Sequence, residues 1–348
     1  MTTRRRWLWI VVPVAVLISA APARAVTTTV DARGQLAVNG AAQFPIGLAA
    51  PSSAIPQLSA AGVTFYQYAP PTGVAWSTPL ALSDAHAYDH AAASNGAWVW
   101  MNLRQDNTAA PWFNITGNEL SGVVSALTGD PGLGVWRGAG EPNMHRMDPS
   151  RVASPGIDPA HLWATIEAAS GTQADLAAYS KLSQINGVDV YPVNLKNTAP
   201  HLHRVGVWTH TELEASLPNR AIWTTLGVCS AAAHDASGEY IFPTYAQTRF
   251  MAWDAIINGA RGITFFGADH PNCMSAADKA AGFNWAWWNT AGARVVAELH
   301  RWSPEIAGQH AIIQPAKTGT ERMRFVAPSD ARIVATLNLR TYTVTITR

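Results

Sequence analysis

The chain has 348 residues, 24 basic against 23 acidic side chains, 48% apolar residues and two cysteines. Residues 1–25 read as an export signal, and without their four arginines 20 basic residues face 23 acidic ones, a net charge of −3. With no basic field to collect phosphates, nucleic acid is excluded as a partner. No later run approaches the roughly 20 apolar residues that a membrane span requires.

The signal is composed of a basic stretch, Arg4-Arg5-Arg6, an apolar stretch over 7–21, and the small-residue cleavage pattern Ala23-Arg24-Ala25. A secreted chain free of the membrane is expected after cleavage. A short hairpin then spans 30–40, with turns at Arg33-Gly34 and Asn39-Gly40. From Phe44 the pattern changes to short apolar runs alternating with helical ones. Strands are predicted at 44–48, 63–68, 97–103, 133–139, 162–168, 188–193, 221–228 and 262–266. Helices are predicted at 53–61, 80–94, 118–128, 175–185, 203–217, 245–258 and about 280–302. Between the fourth and fifth strands, residues 147–159 are rich in Pro, Ser and Asp, so a short helix or a loop is expected there.

Eight strands alternating with helices pair in parallel, and eight is the number that closes a barrel. The open, doubly wound alternative needs a glycine-rich phosphate loop after its first strand, and Leu48-Ala49-Ala50-Pro51-Ser52 is not one. Runs at 311–314, 322–326, 333–337 and 341–347 alternate or carry β-branched residues. The expected fold is α/β: a (β/α)8 barrel with an N-terminal β-hairpin over 26–305, and a small antiparallel β appendage over 306–348. A monomer is expected.

In such a barrel the C-terminal strand tips form the mouth, where reacting groups gather. Gly134-Val135-Trp136-Arg137-Gly138-Ala139 delivers Glu141 to the fourth tip, ahead of Pro142 and Asn143. The other tips offer Tyr66 and Tyr68, then Asn102, Arg104 and Asp106, then Glu167, Asp189 and Tyr191, and finally Asp269 and His270. Carboxylates to protonate a leaving oxygen and stabilise a cationic transition state, with amides and hydroxyls around them, suit carbohydrate chemistry. The mature chain also holds 13 tryptophans. Most are expected to pack the core; Trp112 and Trp285, which follow the third and eighth strands, are candidates to stack on sugar. Cys229 and Cys273 follow neighbouring strands at the mouth, and a disulfide is predicted between them.

Val30-Asp31 through Gly47-Leu48 resembles the leading hairpin and first strand of TIM-barrel glycoside hydrolases of the cellulase and β-galactosidase clan. Gly140-Glu141-Pro142-Asn143 is similar to that clan's Asn-Glu-Pro signature. Val188-Asp189-Val190-Tyr191-Pro192-Val193, Pro243-Thr244-Tyr245 and Asn258-Gly259-Ala260-Arg261-Gly262-Ile263 follow in matching order. The resemblance implies a glycosidase with Glu141 as general acid/base and a carbohydrate substrate.

Two departures stand out. Gly140 replaces an asparagine, and the seventh strand, Ile222 to Cys229, carries no carboxylate where the clan has its nucleophile. Asp269 is therefore taken as the second catalytic acid, with Asp189 and the loop acids Asp235 and Glu239 as alternatives. Tyr68, Asn102, Arg104, Asn143, Asp189, Tyr191, His270 and Trp285 are expected to bind substrate. The competing expectation is a catalytically inactive barrel that binds glycans or serves as a surface-interaction domain.

No cofactor or metal is expected. His86 and His90 lie four apart on a helix without the Glu of H-E-x-x-H, and His201-Leu202-His203 has no acid close by in sequence. Gly-x-Ser-x-Gly is absent. Asn114-Ile115-Thr116 fits a glycosylation sequon.

Overall fold

The computed structural model describes residues 25–71, 73–103, 115, 117–193, 201–229, 242–312 and 318–348. Almost all of the expected signal, together with Arg104, Asp106, Trp112, Asn114, Thr116, Asp235 and Glu239, lies outside them.

The leading hairpin is a three-stranded antiparallel sheet, β1 (Thr28–Val30), β2 (Leu36–Val38) and β3 (Ala41–Ala42). Eight parallel strands follow: β4 (Ile46–Ala49), β5 (Phe65–Tyr68), β6 (Trp98–Asn102), β7 (Leu133–Gly140), β8 (Leu162–Ala168), β9 (Ile185–Val190), β10 (Ala221–Gly227) and β11 (Gly262–Phe266). They close into one barrel in chain order, β11 returning to β4. The main helices of the outer layer are α1 (Ile55–Ala60), α2 (Pro79–Ser94), α3 (Gly117–Leu127), α4 (Pro142–His145), α5 (Gln173–Ala177), α6 (Arg204–Ala215), α7 (Tyr245–Ile257), α8 (Ala276–Ala281), α9 (Trp285–Trp287) and α10 (Ala293–Ile306). The appendage is a four-stranded antiparallel sheet, β12 (Gln309–Ile312), β13 (Thr320–Val326), β14 (Arg332–Asn338) and β15 (Thr343–Thr347). Its apolar face, with Phe325, Ile333, Ala335 and Leu337, joins the main core, and Phe325 meets Trp253 of α7 edge-on at 6.1 Å.

Aromatic side chains fill the lower barrel. Phe65 stacks on Trp98 at 4.5 Å, and Trp100 meets Trp223 at 5.4 Å. Rings this large leave their neighbours no side-chain volume: a Cβ on Gly47 would lie 2.1 Å from the Phe65 ring, and one on Gly134 2.5 Å from Trp98. Leu36 of β2 joins this cluster, so the leading sheet plugs the foot of the barrel. A polar layer begins directly above this plug.

Two helical expectations need correction. The helix expected over 175–185 stops at Ala177, and β9 begins at Ile185. Polar side chains take over the backbone there: Ser183 Oγ donates to the Ile185 carbonyl at 2.9 Å, and Asn186 Nδ2 donates to the Ser180 carbonyl. The helix expected over 280–302 is divided. Helix α8 ends at Gly282 in the left-handed region (φ 69°), and Asn284 caps a new start by accepting from Trp287 N at 2.9 Å. That segment runs through a π turn, Trp288–Gly292, into α10.

Candidate active site

Glu141 sits where β7 ends. Its backbone is left-handed (φ 50°, ψ 44°), a region sparsely populated by residues with a side chain. Pro142 disfavours the right-handed helical alternative for the residue before it. The Glu141 N–H donates to the Ile166 carbonyl at 2.7 Å, and its own carbonyl accepts from Met144 N at 3.1 Å. Asn143 clamps the same corner: Oδ1 accepts from Ala168 N at 2.9 Å, and Nδ2 donates to the Ala168 and Ser170 carbonyls at 2.9 and 3.2 Å. The Asn143 amide, expected to bind substrate, is committed to the turn that aims Glu141. Held strain of this kind is characteristic of functional positions. Among the described residues Glu141 makes no ion pair.

Beneath the mouth, alternate positions on the strands supply a polar layer. Gln67 Nε2 donates to Thr264 Oγ1 at 2.5 Å. Asn102 Oδ1 accepts from Trp100 Nε1 at 2.8 Å, with Arg137 Nη1 at 3.4 Å. The Arg137 guanidinium lies 5.5 Å over the Trp100 ring, and its Nε is buried without a partner. This placement explains Gly140, because a Cβ there would come within 2.8 Å of Arg137 Nη2. Arg137 fills the room that a side chain at position 140 would need.

Asp189, opposite Thr225 in the β9–β10 register, completes the layer. Burial drives its pKa up and the Arg137 charge pulls it back; the charge of Glu141 raises it again, and hydrogen bonds from Thr225 and Tyr191 lower it, leaving it at about 6. One of its oxygens, Oδ1, has no hydrogen-bond partner. Tyr191 leans across the seventh strand: a Cβ on Gly227 would meet its ring at 2.8 Å. The tip that lacks a carboxylate is thus covered by a phenol ring. Tyr191 also stacks on Phe266 at 5.4 Å and 19°, and Phe266 meets the His270 ring at 5.9 Å. Phe266 is 41% exposed, so an apolar ring face is open to the mouth.

The remaining candidates are more scattered. Asp269 follows β11, which lies directly across the ring from β7. Its carboxyl reaches solvent from a surrounding wall of protein; that burial raises its pKa, with its own backbone N–H and His270 opposing. Its charge contributes to the raised pKa of Tyr88. Trp285 packs edge-on against Phe283 at 4.8 Å. Tyr68 points outward and is buried between Trp76 and Tyr88, at 5.8 and 4.9 Å. Tyr66 also points outward, donating to the Ile55 carbonyl at 3.1 Å.

Glu167, inventoried among the strand tips, faces the helices instead and is fully buried with Glu212 of α6. Neither Glu167 oxygen has a hydrogen-bond partner. Burial, together with the repulsion between the two carboxyls, holds Glu167 in its protonated form.

Cys229 and Cys273 form the expected disulfide, Cα atoms 5.8 Å apart, tying the loops after β10 and β11 together. The metal expectation is modified in one respect. His203, which has no acid near it in sequence, meets Asp254 of α7 and Glu321 of β13, their ligand atoms within 4.8 Å of one another. These groups satisfy each other: His203 Nδ1 lies 2.9 Å from Asp254 Oδ1, Gly206 N donates to Asp254 Oδ2 at 2.6 Å, and Asn258 Nδ2 donates to Glu321 Oε2 at 3.0 Å.

Sequence reasoning gave Arg137 and Phe266 no place in the site. Strand alternation was the available signal: Arg137 shares the inward face with Val135, and Phe266 shares it with Gly262 and Thr264.

No family profile and no curated protein matches the chain by sequence. Solved structures do match by fold. One described as a glycoside hydrolase superposes with a TM-score of 0.63 at 11% identity, covering 89% of this chain and 83% of that one. A glycoside hydrolase family 5 protein of Bacteroides vulgatus also gives 0.63, at 12% identity over 90% and 80%. A family 5 subfamily 18 protein of Streptomyces cattleya, in complex with Manβ1-4GlcNAc, gives 0.50 at 15% identity over 72% and 74%. Among the described residues no helix is long and apolar enough to cross a membrane. The chain has the barrel fold seen in these TIM-barrel glycoside hydrolases, at 11–15% sequence identity.

Proposed function

We propose that this chain is a secreted glycoside hydrolase that cleaves a poly- or oligosaccharide with two carboxyl groups, Glu141 being the general acid/base. The observation that carries this reading is the placement of Glu141: a strained strand tip, unpaired with any described cation, beside a second carboxyl whose pKa its charge helps to raise. Asp189 is better placed than Asp269 to be that second group. It shares the electrostatic field of Glu141, whereas Asp269 stands on the opposite wall. A two-carboxylate mechanism needs groups roughly 5–9.5 Å apart across the scissile bond. The Tyr191–Phe266 stack offers an apolar face for a sugar ring, and Arg137 and Asn102 offer donors below it. Residues 1–25 would direct export, and the Cys229–Cys273 bridge suits an oxidising compartment.

The test is release of new reducing ends from a polysaccharide panel, with β-mannosides included because a structural neighbour was solved with one. Glu141→Gln should lower turnover by about 10²–10⁴-fold without changing the melting temperature. Unchanged turnover would refute the assignment. A second reading, a glycan-binding barrel without catalysis, draws support from Gly227 and its Tyr191 cover at the acid-free seventh tip. Binding without release across the panel would favour it.

A further inference from the structure

At the foot of the barrel, away from the mouth, a cleft of about 350 Å³ is lined by Arg33, Gln35, Arg261, Gly308, Gln309 and His310. It adjoins a second cleft of about 280 Å³ that shares Arg33, Gly308 and Gln309. Three units meet there. Arg33 comes from the turn between β1 and β2, Arg261 from the turn between α7 and β11, and His310 from β12.

The charges in this seam do not balance. Arg261 has no carboxylate within ion-pair distance among the described residues; its Nη1 instead donates to His310 Nδ1, while His310 Nε2 donates to the Ile306 carbonyl at 2.5 Å. Burial lowers the pKa of Arg261 to about 10, and burial together with the Arg261 charge pushes His310 down to about 3, so the imidazole is neutral. Asp31 is the acid whose field reaches Arg261, and it is already engaged. Its Oδ2 accepts from Arg33 Nε and Nη2 at 3.1 and 2.9 Å, and its Oδ1 from the backbone N–H groups of Arg33 and Gln35 at 2.8 and 2.9 Å. Two guanidiniums against one carboxylate leave a net positive charge. Asp330 lines only the adjoining cleft.

A largely buried arginine without a counter-charge is costly, and a planar fork of N–H donors matches a tetrahedral oxyanion. A separate observation concerns Gln35, which is 2% exposed. Its Nε2 donates to the Gln43 carbonyl at 2.7 Å, which fixes the amide, and its buried Oε1 has no partner. That oxygen can accept a hydrogen bond from the O–H of a hydrogen phosphate or of an ester's alcohol moiety.

We infer that this seam is a binding site for a small phosphoryl oxyanion, free phosphate or a phosphate monoester, held by Arg261 and Arg33 with Gln35. The ligand would join the leading sheet, the barrel and the appendage. The site is independent of the glycosidase reading, since it lies at the other end of the barrel from Glu141.

Titration calorimetry on the full-length secreted protein tests the inference, with inorganic phosphate and glycerol phosphate as ligands against chloride at matched ionic strength. Saturable binding of phosphate is expected, and with it a melting temperature that climbs with the logarithm of its concentration. Arg261→Met should weaken binding at least tenfold, and Arg33→Gln at least fivefold. Arg33 is largely exposed, so its variant keeps the test valid if Arg261→Met does not fold. Equal binding of glycerol phosphate supports an ester as ligand, and binding of phosphate alone supports the free ion. A response no larger than that to chloride, or wild-type affinity in the folded arginine variants, would overturn the site.

Discussion

Replacing Arg137 by Met keeps most of the side-chain volume over Trp100 and deletes the charge that opposes the effects of burial and of Glu141 on Asp189. In the wild type these influences leave Asp189 at about 6. A nearby opposite charge lowers a carboxyl pKa by about 1–3 pH units, so its loss should carry Asp189 to between about 7 and 9. If Asp189 works as the ionised partner of Glu141, the acid limb of the kcat/KM profile reports its deprotonation in the free enzyme. That limb should move to higher pH by the same interval, and activity at pH 6 should fall by about fivefold to 500-fold. Arg137→Lys, which retains a cation, should recover much of the shift. The assay is reducing-end release between pH 4.5 and 9 at fixed ionic strength, with circular dichroism at each pH. A limb that stays at the wild-type position in Arg137→Met, or moves to lower pH, refutes the electrostatic coupling and removes Asp189 from the mechanism.

Two further outcomes concern stability. Glu167 has a folded pKa above its unfolded value, so the folded state holds an extra proton from about pH 4.5 upward and stability falls as pH rises toward the folded pKa, with a slope of at most about 1.4 kcal/mol per pH unit for each such proton. Glu167→Gln should therefore leave the melting temperature at pH 5 nearly unchanged and raise it at pH 8–9; a uniform drop at all pH values would contradict a protonated Glu167. The Cys229–Cys273 bridge closes a separation of 44 residues, and chain-entropy arguments give it up to about 4 kcal/mol. The double Cys→Ser variant should melt several degrees lower by calorimetry, and an unchanged melting temperature would show that the loop is equally constrained without it.

The eight βα units were legible because each needs only local information. Apolar runs such as Gly262–Phe266 are too short to be helices, and glycines such as Gly62 and Gly96, both at positive φ, stop the helices between them. Glu141 was legible too, because a strand followed by Glu-Pro places a carboxyl at a tip whatever surrounds it. The helix over 175–185 was misread because the side chains of Ser183 and Asn186 bond to the backbone across a turn. Helical periodicity is blind to such bonds.

What the sequence alone determined, then, is the barrel, its closing disulfide and the position of one acid at its mouth. Tertiary structure decided which face each strand residue occupies and which distant groups share a field. Strand side chains alternate, so a one-residue difference in register separates Asp189, facing Tyr191 and Arg137, from Glu167, sealed against α6. His203 meeting Asp254 and Glu321, and Arg261 left without an ion-paired carboxylate among the described residues, are likewise products of packing between segments far apart in the chain. Propensity and periodicity act over a few residues, whereas burial and Coulomb interactions act through space. The chemistry of this site belongs to the second kind.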